Sequence, residues 1–330
     1  MKVVSFFQLK EVRWAIAEQD LAAIRAELPE VEIRSVEDET QLAGALADAD
    51  AFVGWTFPAA LFAQAKRLRW VHTANAGVEA NLFPALVESP VILTNGAGLH
   101  SVSIPEHVLG LMLALARNLH ESGRLQARAS WERFTAIAYG GGIRELHGSN
   151  LAILGAGAIG ASLAKLGSAL GMTVRILRRR PDRPVDGAAA VVGPQQKLAL
   201  LGWADFVVLA TPLTAETENL IDRDALRAMK PSAFLINIAR GEVVDDAALL
   251  DALRSGAIAG AGLDTFREEP LPATSPYWAL PNVIVTPHIS GYTSRYFERT
   301  VELFRDNLRR FVAGEPLRNV VNKRLGYVDE

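Results

Sequence analysis

A guanidinium, a carboxylate and an imidazole stand at comparable places late in the chain. Arg240 follows the apolar run Ala233–Asn237, Glu269 follows Gly260–Leu263 and the intervening Asp264, and His288 follows Val283–Val285. A guanidinium can hold a substrate carboxylate and polarise a carbonyl. An imidazole can donate a proton near neutral pH, and a carboxylate beside it favours the charged ring and fixes its orientation. Together they suit hydride addition to a carbonyl, whose oxygen needs a proton as it gains charge. Each alone also has an ordinary reading, as a surface arginine, a loop glutamate or a histidine capping a helix. What unites them is position, because ligands of open α/β sheets bind beyond the carboxyl ends of strands.

A hydride source is legible upstream. Gly155-Ala156-Gly157-Ala158-Ile159-Gly160 lies between the apolar run Leu151–Leu154 and an Ala/Leu-rich segment with helical spacing. In a strand–turn–helix the first glycine permits the tight turn, the second lets backbone approach a pyrophosphate, and the third lets helix pack on strand. The helix start offers N–H groups and a positive dipole end to phosphate. An acid about 20 residues on accepts hydrogen bonds from the NAD ribose, whereas an arginine there pairs with the extra phosphate of NADP. Here the second strand runs into Leu177-Arg178-Arg179-Arg180, with no acid before Asp182. Arg178 and Arg179 are therefore read as an anion clamp, with NADP(H) the preferred cofactor and NAD(H) possible.

These residues need a sheet to align them. Between residues 1 and 100 short apolar runs (Val3–Phe7, Val31–Val36, Ala51–Trp55, Trp70–Thr73, Val91–Thr94) alternate with amphipathic stretches. One stretch places Trp14, Ala17, Leu21, Ile24 and Leu28 at helical spacing. A long helix is expected from Pro105 through Leu119, then a Gly-rich connection, Gly140–Ser149. The pattern restarts with strands Leu151–Leu154, Thr173–Leu177, Phe206–Ala210, Ala233–Asn237, Gly260–Leu263 and Val283–Val285, and with a helix over Ala158–Leu170. A last helix aligns Phe297, Val301, Phe304, Leu308 and Phe311 and could return to the first domain. The expected fold is α/β, with two doubly wound parallel-sheet (Rossmann-like and flavodoxin-like) domains and a cleft between them. A discontinuous substrate domain would take residues 1–100 and 291–330, and a cofactor domain 101–290.

Composition narrows the partners. The 330 residues exceed one ordinary core, and 34 basic against 37 acidic residues leave a net charge of −3, with no face built for nucleic acid. The chain has no cysteine, which excludes disulfides, thiolate nucleophiles and Cys-ligated metals; no metal is expected. Neither the N-terminus nor the longest apolar run, Val108–Ala116, has the length to cross a bilayer, so a cytoplasmic protein with no membrane partner is expected.

The chain closely resembles the D-isomer-specific 2-hydroxyacid dehydrogenases along nearly its whole length. The resemblance rests on His147-Gly148 through Gly160, Pro212-Leu213-Thr214-Ala215-Glu216-Thr217, Asn237-Ile238-Ala239-Arg240-Gly241, Leu263-Asp264-Thr265-Phe266, Glu269-Pro270-Leu271 and Pro281 through His288, with Glu106-His107-Val108-Leu109-Gly110 in the helix after the first hinge. It implies catalytic roles for Arg240, Glu269 and His288, and a substrate loop at Asn75-Ala76-Gly77-Val78-Glu79 in which Ala76, Gly77 and Val78 join Arg240 and His288 on the substrate. The implied cofactor set is Gly155, Gly157, Ala158, Ile159, Gly160, Arg178, Arg179, Thr211, Pro212, Thr217, Ile238, Ala239, Arg240, Asp264, His288, Ser290 and Gly291. A homodimer joined through the cofactor domain is also implied. Two departures stand out: Arg178 replaces the family's usual Asp, and Arg267-Glu268 occupies positions where many relatives have Glu-Pro. The spacing to Pro270-Leu271 selects Glu269 over Glu268 as the partner acid.

The expected activity is reduction of a small 2-ketoacid, such as glyoxylate or hydroxypyruvate, to the D-2-hydroxyacid. The alternatives are an NAD-dependent phosphoglycerate dehydrogenase, which Arg178 opposes, and a non-catalytic dinucleotide sensor, which the Arg/Glu/His set opposes. Glu269 also opposes a formate dehydrogenase. Trp55, Phe57 and Tyr292 stand in segments that could line a cleft, although aromatic residues at such places are as often core.

Overall fold

The computed structural model describes residues 1–9, 12–133 and 142–328. Gly140 and Gly141 of the expected Gly-rich connection lie outside the described residues. The chain divides into two compact units, Met1–Leu99 with Thr293–Glu330, and His100–Tyr292.

The first unit is built on β1 (Lys2–Leu9), β2 (Val12–Trp14), β3 (Glu32–Ser35), β4 (Ala51–Gly54), β5 (Trp70–Thr73) and β6 (Ile92–Thr94). The parallel strands run β3-β1-β4-β5-β6, and β2 pairs antiparallel with the end of β1, bringing Trp14 opposite Phe7. Every residue of β4 and β5 is buried, as a parallel sheet covered on both faces requires. On one face Val3, Val53 and Trp70 meet Leu21 and Ile24 of α1 (Glu18–Glu27). On the other, Val4, Phe52 and Val71 meet Leu42 and Leu46 of α2 (Glu39–Leu46), with Leu86 of α3 (Pro84–Glu88) in the same cluster.

The sheet is parallel as expected, and β2 adds a short antiparallel strand that no apolar run foretold. One expectation needs correction here. Trp14 is not helical: its ring sits edge-on to Phe7 and stacks on Phe297 with centroids 4.1 Å apart, so cross-strand aromatic packing overrides a helical spacing. The helix begins only at Glu18, with Glu18 and Asp20 in its first turn, where the dipole favours acids. Trp55 and Phe57 are buried in the aromatic core, whereas Tyr292 is exposed.

The second unit begins with α4 (Ser103–Ala116) and α5 (Leu119–Ala127). The single helix expected to reach Leu119 is broken at Asn118, which takes the left-handed conformation at φ 52°. Pro105 lies in the first turn of α4, where backbone N–H groups have no intrahelical partner to lose. Seven strands follow: β7 (Asn150–Leu154), β8 (Thr173–Leu177), β9 (Ala190–Val192), β10 (Phe206–Leu209), β11 (Phe234–Asn237), β12 (Gly260–Leu263) and β13 (Val283–Val285). They lie in the order β9-β8-β7-β10-β11-β12-β13, all parallel. Sheet growth reverses between β7 and β10, which makes that gap the switch point. Alternate strand residues separate two cores. Ile153, Ile176 and Val208 pack with α4 and with α6 (Ala158–Ala169), while Ala152, Leu154 and Val207 pack with α7 (Lys197–Trp203), α8 (Arg223–Ala228) and α9 (Asp246–Ser255). The last helix, α10 (Tyr296–Ala313), ends at left-handed Gly314 and buries Val301, Phe304 and Leu308 in the first unit.

Candidate active site

Because the seven strands are parallel, their carboxyl ends share one edge, and the residues singled out by sequence in the second unit follow those ends. After β7, Gly155 takes φ +112°, and a Cβ there would fall 2.4 Å from the Ala210 carbonyl oxygen beyond neighbouring β10. Gly160, in the first turn of α6, has equally little room, since its Cβ would fall 2.1 Å from the Gly155 oxygen. Gly157 differs. Its φ of −70° suits any residue, and a Cβ would meet no protein atom within 4 Å. No protein contact accounts for a glycine here, whereas a ligand lying against the backbone does. Gly157 is the N-cap of a 12-residue helix with no side-chain cap, so the N–H groups of Ala158, Ile159 and Gly160 begin the helix at the same spot. The Thr211 hydroxyl, just past β10, is buried without a partner among the described residues. This cradle fits a dinucleotide.

The rest of the expected cofactor set is distributed along the same edge. Arg178 follows β8 and donates its N–H to the Val192 carbonyl at 3.0 Å, half-buried, with exposed Arg179 next to it. Thr217 closes the turn after β10 by donating its hydroxyl to the Pro212 carbonyl at 2.7 Å. After β11, Ile238 and Ala239 are buried, and Asn237 shapes the bend by accepting the Ala239 N–H at 3.0 Å and donating to the Arg240 carbonyl at 2.9 Å. Arg240 emerges from this bend.

Glu269 and His288 meet. The Glu269 Oε2 lies 2.7 Å from the His288 Nδ1, and Oε1 accepts the Phe266 N–H at 2.9 Å. Burial acts to raise the Glu269 carboxyl, but the His288 hydrogen bond, the Phe266 N–H and the positive charges of His288 and Arg240 outweigh it and hold the carboxyl below its ordinary value. The neighbouring Glu268 is exposed and makes no such contact. With Nδ1 engaged, Nε2 is the nitrogen left to exchange a proton.

His288 takes φ +54°, rare for a residue with a Cβ, and it is flanked by a buried carboxylate. Asp264, 0% exposed, accepts the Ile289 N–H and the Thr286 hydroxyl (2.5 Å) on Oδ1 and the Ser290 N–H on Oδ2. Burial pushes this carboxyl up, and the bonds from Ser290, Thr286 and Ile289 more than offset it, so it too sits below its ordinary value. His107 of α4 touches the same network, with Nε2 3.2 Å from the Thr286 hydroxyl. Gly291 is fixed through its carbonyl, which lies 3.1 Å from the His100 Nδ1 and accepts the Ser103 hydroxyl. Thr286 and His107 were not assigned roles from sequence, although both lie inside quoted motifs; what ties them to Asp264 is contact between distant segments.

Residues 109–290 match the profile of the D-isomer specific 2-hydroxyacid dehydrogenase, NAD binding domain. The chain belongs to the D-isomer specific 2-hydroxyacid dehydrogenase family. Members of this family are NAD(P)-dependent oxidoreductases acting on CH–OH groups. The chain is 35% identical over 275 residues to the glyoxylate reductase of Pyrococcus furiosus, covering 80% of this chain and 79% of that protein. It is 32% identical over 309 residues to the D-3-phosphoglycerate dehydrogenase of Methanocaldococcus jannaschii, covering 92% of this chain but spanning only 57% of that protein's length. The crystal structure of a D-isomer specific 2-hydroxyacid dehydrogenase from Xanthobacter autotrophicus Py2 in complex with NADPH and MES is similar at a TM-score of 0.82 and 31% identity, covering 98% of this chain and 99% of that one.

The loop expected to take substrate, Asn75–Glu79, belongs to the first unit. From the residue before it onward, carbonyls are taken one after another: Ala74 by the Tyr296 hydroxyl at 3.0 Å, Asn75 by the Gly96 N–H at 2.8 Å, and Ala76 by the Asn95 amide at 2.6 Å. Among the described residues, the N–H groups of Ala76, Gly77 and Val78 donate no hydrogen bond.

Proposed function

We propose that this family member reduces a small 2-ketoacid, of the glyoxylate or hydroxypyruvate class, using NADPH. The observation that carries the reading is the Glu269–His288 pair at 2.7 Å beside the Arg240 strand end. The glycine cradle, Thr211 and the first turn of α6 would hold the dinucleotide pyrophosphate, and Arg178 with Arg179 its ribose phosphate. When bound, the reduced nicotinamide supplies a hydride. The protein's own part is to bind and to move a proton. Arg240 takes the substrate carboxylate and draws charge toward the ketone oxygen, and His288, oriented by Glu269, protonates that oxygen from Nε2. The N–H groups of Ala76, Gly77 and Val78 offer a carboxylate a neutral set of donors on the first unit. The NADPH-bound relative and the replacement of an acid by Arg178 support the choice of NADPH.

A panel of 2-ketoacids assayed with NADPH and with NADH tests the reading. Turnover of a small 2-ketoacid with a clear NADPH preference is expected; a clear NADH preference refutes the phosphate clamp, and no turnover of any ketoacid refutes the activity. A second reading, oxidation of a phosphorylated hydroxyacid with NAD, draws on similarity to the phosphoglycerate dehydrogenase over 92% of the chain, and the same assay with that substrate decides between them. The proposed assembly is a homodimer through the second unit, where Leu113 of α4 and Leu119 of α5 are 42% and 56% exposed. Light scattering on the eluted protein measures it. No helix among the described residues is long and apolar enough to cross a membrane.

A further inference from the structure

Three loops of the site converge on Arg267. Its Nε donates to the Val244 carbonyl at 3.2 Å. Its Nη2 donates to the carbonyls of Val244 at 3.0 Å and Glu242 at 3.2 Å, and to the Asn219 side-chain oxygen. Glu242 and Val244 sit in and just after the 3-10 turn Gly241–Val243, which starts directly after Arg240. Asn219 ends the segment that follows β10 and donates its own N–H to the Glu242 carbonyl at 2.8 Å. Arg267 is also the next residue after Phe266, whose N–H holds Glu269. The backbones meet as closely as the side chain implies. A Cβ on Gly241 would lie 2.0 Å from the Phe266 carbonyl carbon and 2.2 Å from the Arg267 nitrogen, so the peptide after Arg240 lies directly on the peptide leading to Glu269.

We propose that Arg267 is a positioning residue that sets Arg240 against the Glu269–His288 pair by clamping their two loops together. The proposal rests on the catalytic reading of those three residues. Only a planar fork with several donors spans carbonyls on two loops and an amide on a third; a lysine supplies the charge without the fork. The charged groups around the pair are Arg240, which acts on Glu269 through space, and Asp264, which takes the N–H groups of Ile289 and Ser290. The hydrogen bonds of Arg267 go instead to the 219 and 242–244 segments.

The test compares Arg267→Ala and Arg267→Lys with wild type in the ketoacid assay across pH. A shift of about 1 Å in a reacting group costs up to about 100-fold, so Arg267→Ala should lose about 10- to 100-fold in kcat. NADPH affinity should fall less than kcat, because the glycine turn, Thr211 and Arg178 are on other loops and only Thr217 and residues 238–240 of the cofactor set adjoin the clamped segments. The bond from His288 helps to hold the Glu269 carboxyl low, so a loosened pair raises it and the acid limb of the profile moves to higher pH. Arg267→Lys should keep most of both defects; full restoration by lysine would show that charge suffices and overturn the clamp. A fall in kcat with an unmoved acid limb and a lowered Tm would overturn it as well, as a merely structural role. The 13C carboxyl titration of Glu269, assigned with Glu269→Gln and recorded without substrate or cofactor, should show the same upward shift in Arg267→Ala. If wild type reduces no ketoacid the functional reading fails, while the carboxyl titration still decides the clamp.

Discussion

The two sheets are wound alike and edged differently. Both are doubly wound, both bury their central strands on two faces, and both open loops at the carboxyl ends of those strands. In the second unit the loops carry charge: Arg178, Arg240, Asp264, Glu269 and His288. In the first, the expected substrate loop Asn75–Glu79 is ionisable at Glu79 alone, and a tyrosine hydroxyl, a glycine N–H and an asparagine amide fix the carbonyls of Ala74, Asn75 and Ala76. On the proposed reading one scaffold would support two kinds of anion recognition, by formal charge and by oriented peptide dipoles, and the difference would lie in the residues after the strands. The charged edge would also donate a proton. The neutral edge, named for its peptide donors, would only bind.

This contrast can be broken by experiment. The largest effect is expected from His288→Ala, which should lower kcat by about 10³- to 10⁴-fold while leaving NADPH affinity nearly unchanged. Unchanged turnover would move the chemistry elsewhere. Next comes the partner acid. A carboxyl held below its ordinary value stays ionised at neutral pH and takes its proton only as pH falls through that lowered value, so the Glu269–His288 pair persists above it and is lost below. Turnover should therefore fall in acid below the ordinary carboxylate range, and Glu269→Gln should remove that limb and lower kcat by about 100-fold. Arg178→Asp should reduce the NADPH-over-NADH preference by about 10- to 100-fold, measured as the ratio of kcat/KM values. The smallest change belongs to the neutral edge. Asn95→Ala, which frees the Ala76 carbonyl, should raise KM for the ketoacid about tenfold with kcat little altered. If its kcat fell as far as that of His288→Ala, the division between a binding edge and a reacting edge would be wrong.

What the sequence made legible follows from range. Parallel strands buried on both faces are short unbroken apolar runs, so β7, β10, β11 and β12 could be read directly. The glycine turn was legible because its needs are local: a positive φ at Gly155 and close helix contact at Gly160. Arg240, Glu269 and His288 stood out by type and by their place after strands, and the structure brings Glu269 onto His288. What escaped depends on distant contacts. Trp14 fitted a helical spacing, yet its fate was decided by Phe7 and Phe297, the latter near the other end of the chain. The strand β9, with three half-buried residues, has too little pattern to register. The left-handed turn at His288 and the role of Asp264 in holding the segment around it follow from bonds to Thr286, Ile289 and Ser290 that no spacing rule encodes.

The seven-stranded sheet ends on both sides in strands of only three residues, Ala190–Val192 and Val283–Val285. A sheet edge is where unpaired peptide groups recruit a strand from another molecule, and the pull grows with the length of the row. Here each row is about 10 Å long, too short to seat a foreign strand firmly. Crowded copies should therefore meet through helices and stay dispersed, where a long bare edge would stack them into fibres.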